Sequence, residues 1–314
     1  MGTVNVAYMC DGGFAALTMV SAYSLLQRCS RPVEVTIFLS EDCPEACEWA
    51  GRLDAAFPAA TVRTRQVDLE PAPPNYQGRL PISSYLRLRL VEFFDRRTLY
   101  LDGDTLLRAD VSELFDADLG GHPLGGVQDV ILLRAIEREK RRWLPFGHKR
   151  TGTDQQAALL REWVDLAHYV NTGVLLLDLE SEASRARHHA MNDLPAALEF
   201  KFKTQSIYND QDWLNYRLEG DKASLPYAWN LLASIEPRKL KHLPAHDRAE
   251  VREAMRAPKL LHFVGDTKPH LHAAPPAGEP NASWWHWFHE ELDALTKITG
   301  PGVKQALRSP SLAS

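Results

Sequence analysis

Apolar and polar positions in this chain follow two periods that alternate along its first third. Residues 4–9 form a short, nearly continuous apolar run, which predicts a buried strand. Asp11, Gly12 and Gly13 interrupt it, and residues 14–27 then place Leu17, Val20, Ser21, Ser24 and Leu25 at helical spacing. Residues 33–39 predict a second strand, 44–57 a second helix and 61–67 a third strand. The predicted class is therefore α/β, with a mostly parallel sheet covered on both faces. In such sheets ligands bind beyond the carboxyl ends of the strands, and the loop from Cys10 to Gly13 lies at one such end.

Further along, the proline-rich residues 71–76 read as a rigid loop, and 83–94 as a helix. Residues 98–101 are an apolar strand running straight into Asp102-Gly103-Asp104. Residues 125–129 read as another strand end, and the Arg- and Lys-rich residues 134–150 as a solvated helix. Residues 169–179 carry the longest β-prone segment, 185–219 a helical pattern, and 258–263 a last strand. The tail after Gly300 reads as frayed.

Three polar groups interrupt these apolar elements. Asp102 and Asp104, at i and i+2 on a turn after a buried strand, can converge on one hard cation such as Mg²⁺ or Mn²⁺. His262 ends the last strand and supplies an imidazole, with Gly265 and Lys268 close behind it. Asn209, Asp210, Gln211 and Asp212 open an apolar helix, where Asn209 fits an N-cap but the three residues after it exceed what a cap requires. Asn171 and Thr172 stand inside the β-prone segment, where a buried amide must find partners, and a sugar hydroxyl would be one.

Composition excludes more than it assigns. Of 314 residues, 45% are hydrophobic and 25% charged, so the chain is not of the disordered or fibrous kind. The net charge of -5 leaves no basic surface for a nucleic acid. The four cysteines, Cys10, Cys29, Cys43 and Cys47, lack the paired spacing of a zinc site, although Cys43 and Cys47 would share a helix face. No apolar run approaches a membrane span and no signal-peptide pattern opens the chain, so the expected location is cytoplasmic, with peripheral contact at the inner face of the membrane as a secondary expectation.

Taken together, the stretches 7–14, 83–88, 99–105, 127–129, 169–179, 209–215 and 262–269 resemble, in order, the motifs of the family-8 retaining glycosyltransferases, the group of glycogenin and the bacterial lipooligosaccharide galactosyltransferases. The resemblance implies a single Rossmann-like, glycosyltransferase A-type domain over residues 1–270, with a mixed, mostly parallel sheet, and a C-terminal appendage over 271–314. It implies a UDP-glucose or UDP-galactose donor and Mn²⁺, with Mg²⁺ as the substitute ion, held by Asp102, Asp104 and His262. It places Asp11 at the uridine with Ala7, Tyr8 and Phe14 nearby, and Gly103 at the ribose. It puts Arg87, Asp129, Asn171, Thr172, Asp210 and Gln211 at the donor sugar, and Gly265 and Lys268 at the diphosphate. Gln211 matches the residue below the anomeric carbon. An amide is a poor nucleophile, so the implied mechanism is front-face substitution with Gln211, Asp210 and Lys268 as the catalytic set.

Three departures accompany the resemblance. Gly12 and Gly13 stand where many members carry an acidic residue and Asn, His270 stands where a Trp is common, and Gly103 replaces a bulkier residue and would leave room beside the ribose. Residues 75–80 and 134–153 are the segments expected to cover the donor and to form a site for the acceptor, which is a glycan, a lipid-linked oligosaccharide or a small molecule. Trp284, Trp285, Trp287 and Phe288 form an aromatic cluster whose acidic neighbours Glu290, Glu291 and Asp293 favour packing on the main domain over contact with an anionic membrane. Two other readings are a nucleotide-sugar-binding protein without transfer activity and a sugar nucleotidyltransferase, the latter opposed by the absence of Lys or Arg from residues 10–13.

Overall fold

The first third of the chain winds a parallel sheet whose inner strands are largely apolar and whose edge strand, Ala60–Gln66, is mostly polar and exposed. β1 (Val4–Cys10), β2 (Val33–Leu39) and β3 (Ala60–Gln66) pair in parallel, and β1 pairs on its other side with β4 (Thr98–Leu101). Beyond β5 (Thr105–Leu107) come β6 (Leu124–Gln128) and β7 (Val170–Leu177), and then β8 (Ala223–Leu225), β9 (Leu231–Leu232) and β10 (Leu260–His262). The large sheet has the order β3-β2-β1-β4-β7-β6-β8, and β5-β10-β9 form a small second sheet. β7 runs antiparallel to both β4 and β6, whereas β6 and β8 are parallel. The mixed, mostly parallel sheet is thus present, with its polarity break at β7. The computed structural model describes residues 2–68, 73, 76, 82–140, 152–265, 268–271 and 281–308.

Alternation along β1 divides the interior. Val4, Val6, Tyr8 and Cys10 pack on one side with α1 (Gly12–Leu26), and Ala7 packs on the other with Tyr100 and Leu175. α1 is buried all round from Ala15 to Leu26, as a helix sandwiched between a sheet and other helices must be. Its hydroxyls are paired within that core. Ser21 Oγ is 2.7 Å from Thr105 Oγ1, and Ser24 Oγ accepts from Leu107 N–H at 3.0 Å, so α1 fixes β5 directly after the Asp102–Asp104 turn.

α2 (Pro44–Ala56) crosses between β2 and β3. The remaining helices are α3 (Leu90–Phe93), α4 (Ser112–Phe115), α5 (Val130–Lys140), α6 (Gly152–Leu160), α7 (Glu182–Met191), α8 (Leu194–Thr204), α9 (Asn209–Arg217), α10 (Ala245–Arg256), α11 (Ala282–Thr299) and α12 (Gly302–Ala306).

Several expected elements take another form. The helix expected over 83–94 is a 3₁₀ segment, Ile82–Arg89, followed by the single turn of α3. The helical pattern of 185–219 is three helices, because Asp193 caps α8 through Ala196 N–H and left-handed Gln205 ends it. β5, β8 and β9 are two or three residues long, too short to show a period of two. Of the basic segment 134–150, residues 134–140 form the second part of α5, with Ala135 buried and Arg138 reaching Asp154 at 3.3 Å, and residues 141–150 lie outside the described residues. The tail is helical to Ala306, with Val303 and Leu307 in the core. Most of the 71–76 loop, residues 77–80, residues 141–151 and the last six residues lie outside the described residues.

The aromatic cluster forms the buried face of α11. Trp284, Trp285 and Phe288 join the same core as α1, and Glu291 is paired with Arg28, just beyond the end of α1. Trp287 is half-buried, with the Arg108 guanidinium 4.2 Å from its ring centroid. Among the described residues no helix is long and apolar enough to cross a membrane.

Candidate active site

Asp102 follows β4, Asp104 precedes β5 and His262 ends β10, so the antiparallel pairing of β5 with β10, which sets His262 opposite Thr105, brings the three together. Backbone bonds pin the turn on both sides: Asp102 N–H donates to Gly173 O at 2.8 Å, and Phe263 N–H to Asp104 O at 2.9 Å. The ligand atoms of Asp102, Asp104 and His262 all lie within 4.8 Å of one another. His262 Nε2 is 3.0 Å from Asp104 Oδ1 and 3.7 Å from Asp102 Oδ2. Lys268 Nζ pairs with Asp104 Oδ2, donates to Phe263 O at 2.9 Å and lies 5.3 Å from the centroid of the Phe14 ring. Burial alone would raise the Asp104 carboxyl, but Lys268 and His262 more than offset that and hold it well below the usual carboxylate range.

Glycine is required at this junction. A Cβ on Gly173 would stand 2.1 Å from His262 Cε1 and 2.9 Å from Asp102 Oδ2. Gly103 has a different reason. A Cβ there would stand 2.2 Å from Thr18 Oγ1 and 3.3 Å from the Thr18 backbone, so α1 fills the space that the sequence left open beside the ribose. Gly265 has φ +74°, a left-handed conformation that favours glycine.

Behind the turn, Arg87 joins the two carboxylate groups of the site. Its Nη1 is 3.1 Å from Asp102 Oδ1 and donates to Thr172 O at 2.9 Å, while its Nε is 3.0 Å from Asp210 Oδ2. Tyr100 OH donates to Asp102 Oδ1 at 2.6 Å, and the Arg87 guanidinium lies 4.9 Å from the Tyr100 ring centroid. Thr172 Oγ1 donates to Asp210 Oδ2 at 3.1 Å. Burial pushes the Asp210 carboxyl up to about 6, against the pull of Arg87.

Gln211 lies on the floor beside them, held at both ends of its amide. Its Oε1 accepts from Asn171 Nδ2 at 3.0 Å and from Thr172 N–H at 3.1 Å, and its Nε2 donates to Asp129 Oδ2 at 3.2 Å. Asp129 also caps α5, accepting from Ile131 N–H and Leu132 N–H through Oδ1. Asp212 turns away from the site, accepting from Tyr208 N–H and bonding Ser206. Asn209 is not a cap either; it bonds Lys201, Tyr76 and Ser84.

Of the remaining sequence candidates, Asp11 caps α1 through Phe14 N–H at 2.9 Å. Ala7 and Tyr8 are fully buried in β1, which is paired on both sides with β2 and β4, and the Tyr8 hydroxyl bonds Ser21 inside the core. The four cysteines are free thiols.

Sequence reading missed Asn230, which is buried between Trp229 and Leu231. Its Oδ1 accepts from His262 Nδ1–H at 2.9 Å, and its Nδ2 donates to Asn171 Oδ1 at 2.9 Å. A lone amide set among apolar residues was its signal, the same that marked Asn171.

Two carboxylates and an imidazole nitrogen converging from a rigid turn form an O, O, N donor set that fits a divalent cation, Mn²⁺ more closely than Mg²⁺.

The family model described as "Glycosyl transferase family 8" matches residues 5–273. The glycosyltransferase GlyF of Streptococcus pneumoniae is 25% identical over 244 residues, covering 76% of this chain and 50% of that protein. The lipopolysaccharide 1,2-glucosyltransferase of Escherichia coli is 26% identical over 173 residues, covering 55% and 44% respectively. The chain thus spans about half the length of the curated relatives it matches. Among solved structures, the galactosyltransferase LgtC in complex with donor and acceptor sugar analogs has a TM-score of 0.66 at 21% identity, covering 93% of this chain and 96% of that one.

Proposed function

This chain belongs to glycosyltransferase family 8, and from that premise we propose that it moves a glucose or galactose from UDP to an acceptor hydroxyl with retention, in an Mn²⁺-dependent reaction. The observation that carries the reading is the continuous arrangement from the Asp102–Asp104–His262 donor set through Arg87 to Asp210 and Gln211. The similarity to a structure bound to donor and acceptor sugar analogs supports it.

Asp102, Asp104 and His262 would hold the cation, which when bound neutralises a diphosphate and eases its departure. Lys268, at the same edge, adds a positive charge for the leaving group. Arg87 and Asp210 orient the hexose, and Gln211 presents a fixed dipole beneath it. The Gln211 oxygen already accepts two N–H bonds, so it has little capacity to act as a nucleophile. That favours front-face substitution, in which the departing phosphate oxygen takes the acceptor's proton and the protein contributes positioning and electrostatics.

The test is incubation with UDP-glucose and UDP-galactose plus Mn²⁺, following UDP release and the anomeric configuration of the product by NMR. Release with retention is expected, and Gln211→Ala should lower kcat by about tenfold or more. An inverted product, or near-normal turnover in that variant, overturns the mechanism. The absence of both UDP release and a thermal shift with UDP and Mn²⁺ overturns the function.

A further inference from the structure

The amide groups between the metal-ligand cluster and Gln211 can be oriented without ambiguity, because backbone donors fix two of them. Gly173 N–H donates to Asn171 at 3.0 Å, so the atom it meets is the Asn171 oxygen. Thr172 N–H donates to Gln211 at 3.1 Å, so that atom is the Gln211 oxygen. The Asn171 nitrogen therefore faces Gln211 Oε1, and the Gln211 nitrogen faces the Asp129 carboxylate. The group that meets the Asn171 oxygen from its other side must be a donor, so Asn230 turns its NH₂ to Asn171 and its oxygen to His262. Only a proton on His262 Nδ1 satisfies that oxygen. Nε2 is then the nitrogen turned toward Asp102 and Asp104, 3.7 and 3.0 Å away, where it can ligate a cation.

We propose that Asn230 is a positioning residue that acts in two directions: its oxygen fixes the His262 tautomer that can ligate a metal, and its NH₂ fixes, through Asn171, the orientation of the Gln211 amide. The inference rests on the metal and donor reading above. The chain of bonds runs His262 Nδ1–H to Asn230, Asn230 to Asn171, Asn171 to Gln211, and Gln211 to Asp129, with every donor pointing the same way. A metal-binding imidazole commonly gives its other N–H to such a partner, and loss of the partner weakens the metal. Here the partner also reaches the sugar floor. Asn230 is 3% exposed and His262 is equally enclosed, so water has little access to replace the amide.

The two directions separate by substitution. Asn230→Ala removes both bonds. Asn230→Asp keeps an acceptor for His262 but has no donor for Asn171. Free Mn²⁺ is measured by electron paramagnetic resonance during titration of wild-type and variant protein in saturating UDP, with kcat measured at saturating Mn²⁺. Asn230→Ala is expected to weaken Mn²⁺ binding by about 10- to 100-fold. Asn230→Asp is expected to bind Mn²⁺ within about threefold of wild type or tighter, yet to lose kcat by about tenfold, since only the link to Gln211 is cut. A purely structural role would lower the unfolding temperature of both variants and leave the Mn²⁺ affinity of the folded protein unchanged. Wild-type affinity in Asn230→Ala, equal loss of affinity in both variants, or wild-type kcat in Asn230→Asp would each overturn the inference while leaving the proposed function standing. A wild-type protein that binds no Mn²⁺ overturns both.

Discussion

At the residue scale the site is governed by a few side chains whose charge or size has no slack. Asp210 is the clearest case. Burial, aided by nearby Asp102, raises its carboxyl from 3.8 to about 6 although Arg87 pulls it down. The folded protein therefore takes up this proton at a higher pH than the unfolded chain does. The buried charge costs stability above about pH 6, and that cost fades as pH falls toward 4, the reverse of a depressed carboxylate. Activity has the opposite dependence, because the Asp210–Arg87 pair needs the ionised form. A pH profile of kcat/KM should fall by roughly tenfold per unit below about 6, and Asp210→Asn should lack that limb. Gly173 is limited by size. Gly173→Ala would drive a methyl into His262 and Asp102, and Mn²⁺ titration should show affinity lowered by at least about tenfold in a protein that still folds. Asp102, Asp104 and His262 were legible in the sequence because they fall, in order, within the set of motifs that resembles the family. Thr18 and Asn230 were not, since their roles exist only opposite Gly103 and His262.

Elements explain where the sequence reading succeeded and where it did not. β1, β2 and β4 are buried on both faces, so their apolar runs are nearly continuous and stand out. In the second sheet β10 falls within the last strand expected at 258–263, whereas β5 and β9 are too short to show a run, and β5 and β10 carry one side of the metal cluster. α1 reads as a helix in the sequence, and its Thr18, Ser21 and Ser24 are buried against Gly103, Tyr8 and β5, while a second layer, α11, joins the same core. That layer is a point of test. Phe288 is 1% exposed and packs edge-on to Phe263, directly after His262, at a centroid separation of 5.9 Å. Phe288→Ala should cost about 3–5 kcal/mol in urea unfolding. A loss near zero would mean that α11 is a detachable appendage with its aromatics available to another surface.

Over the whole molecule, the site is assembled from segments far apart in the chain: the 82–89 turn, β4, β7, the start of α9 and the end of β10. Ligands that bind only this assembly must stabilise it. UDP with Mn²⁺, at a hundredfold excess over Kd, should add about 2.7 kcal/mol and raise the unfolding temperature by several degrees, and EDTA should abolish the rise. The sequence by itself determined the α/β class and drew attention to the carboxylates, amides and imidazole that the fold brings together. Buried strands require apolar runs, and carboxylates or amides set into such runs are costly without a purpose. The tertiary structure alone decided that Thr18 fills the space over Gly103, that α11 closes the core over α1, and that Asn230 joins His262 to Gln211. Those are contacts between residues with no shared period or spacing, and hydrogen bonds and close packing act over a few ångströms of space whatever the distance along the chain.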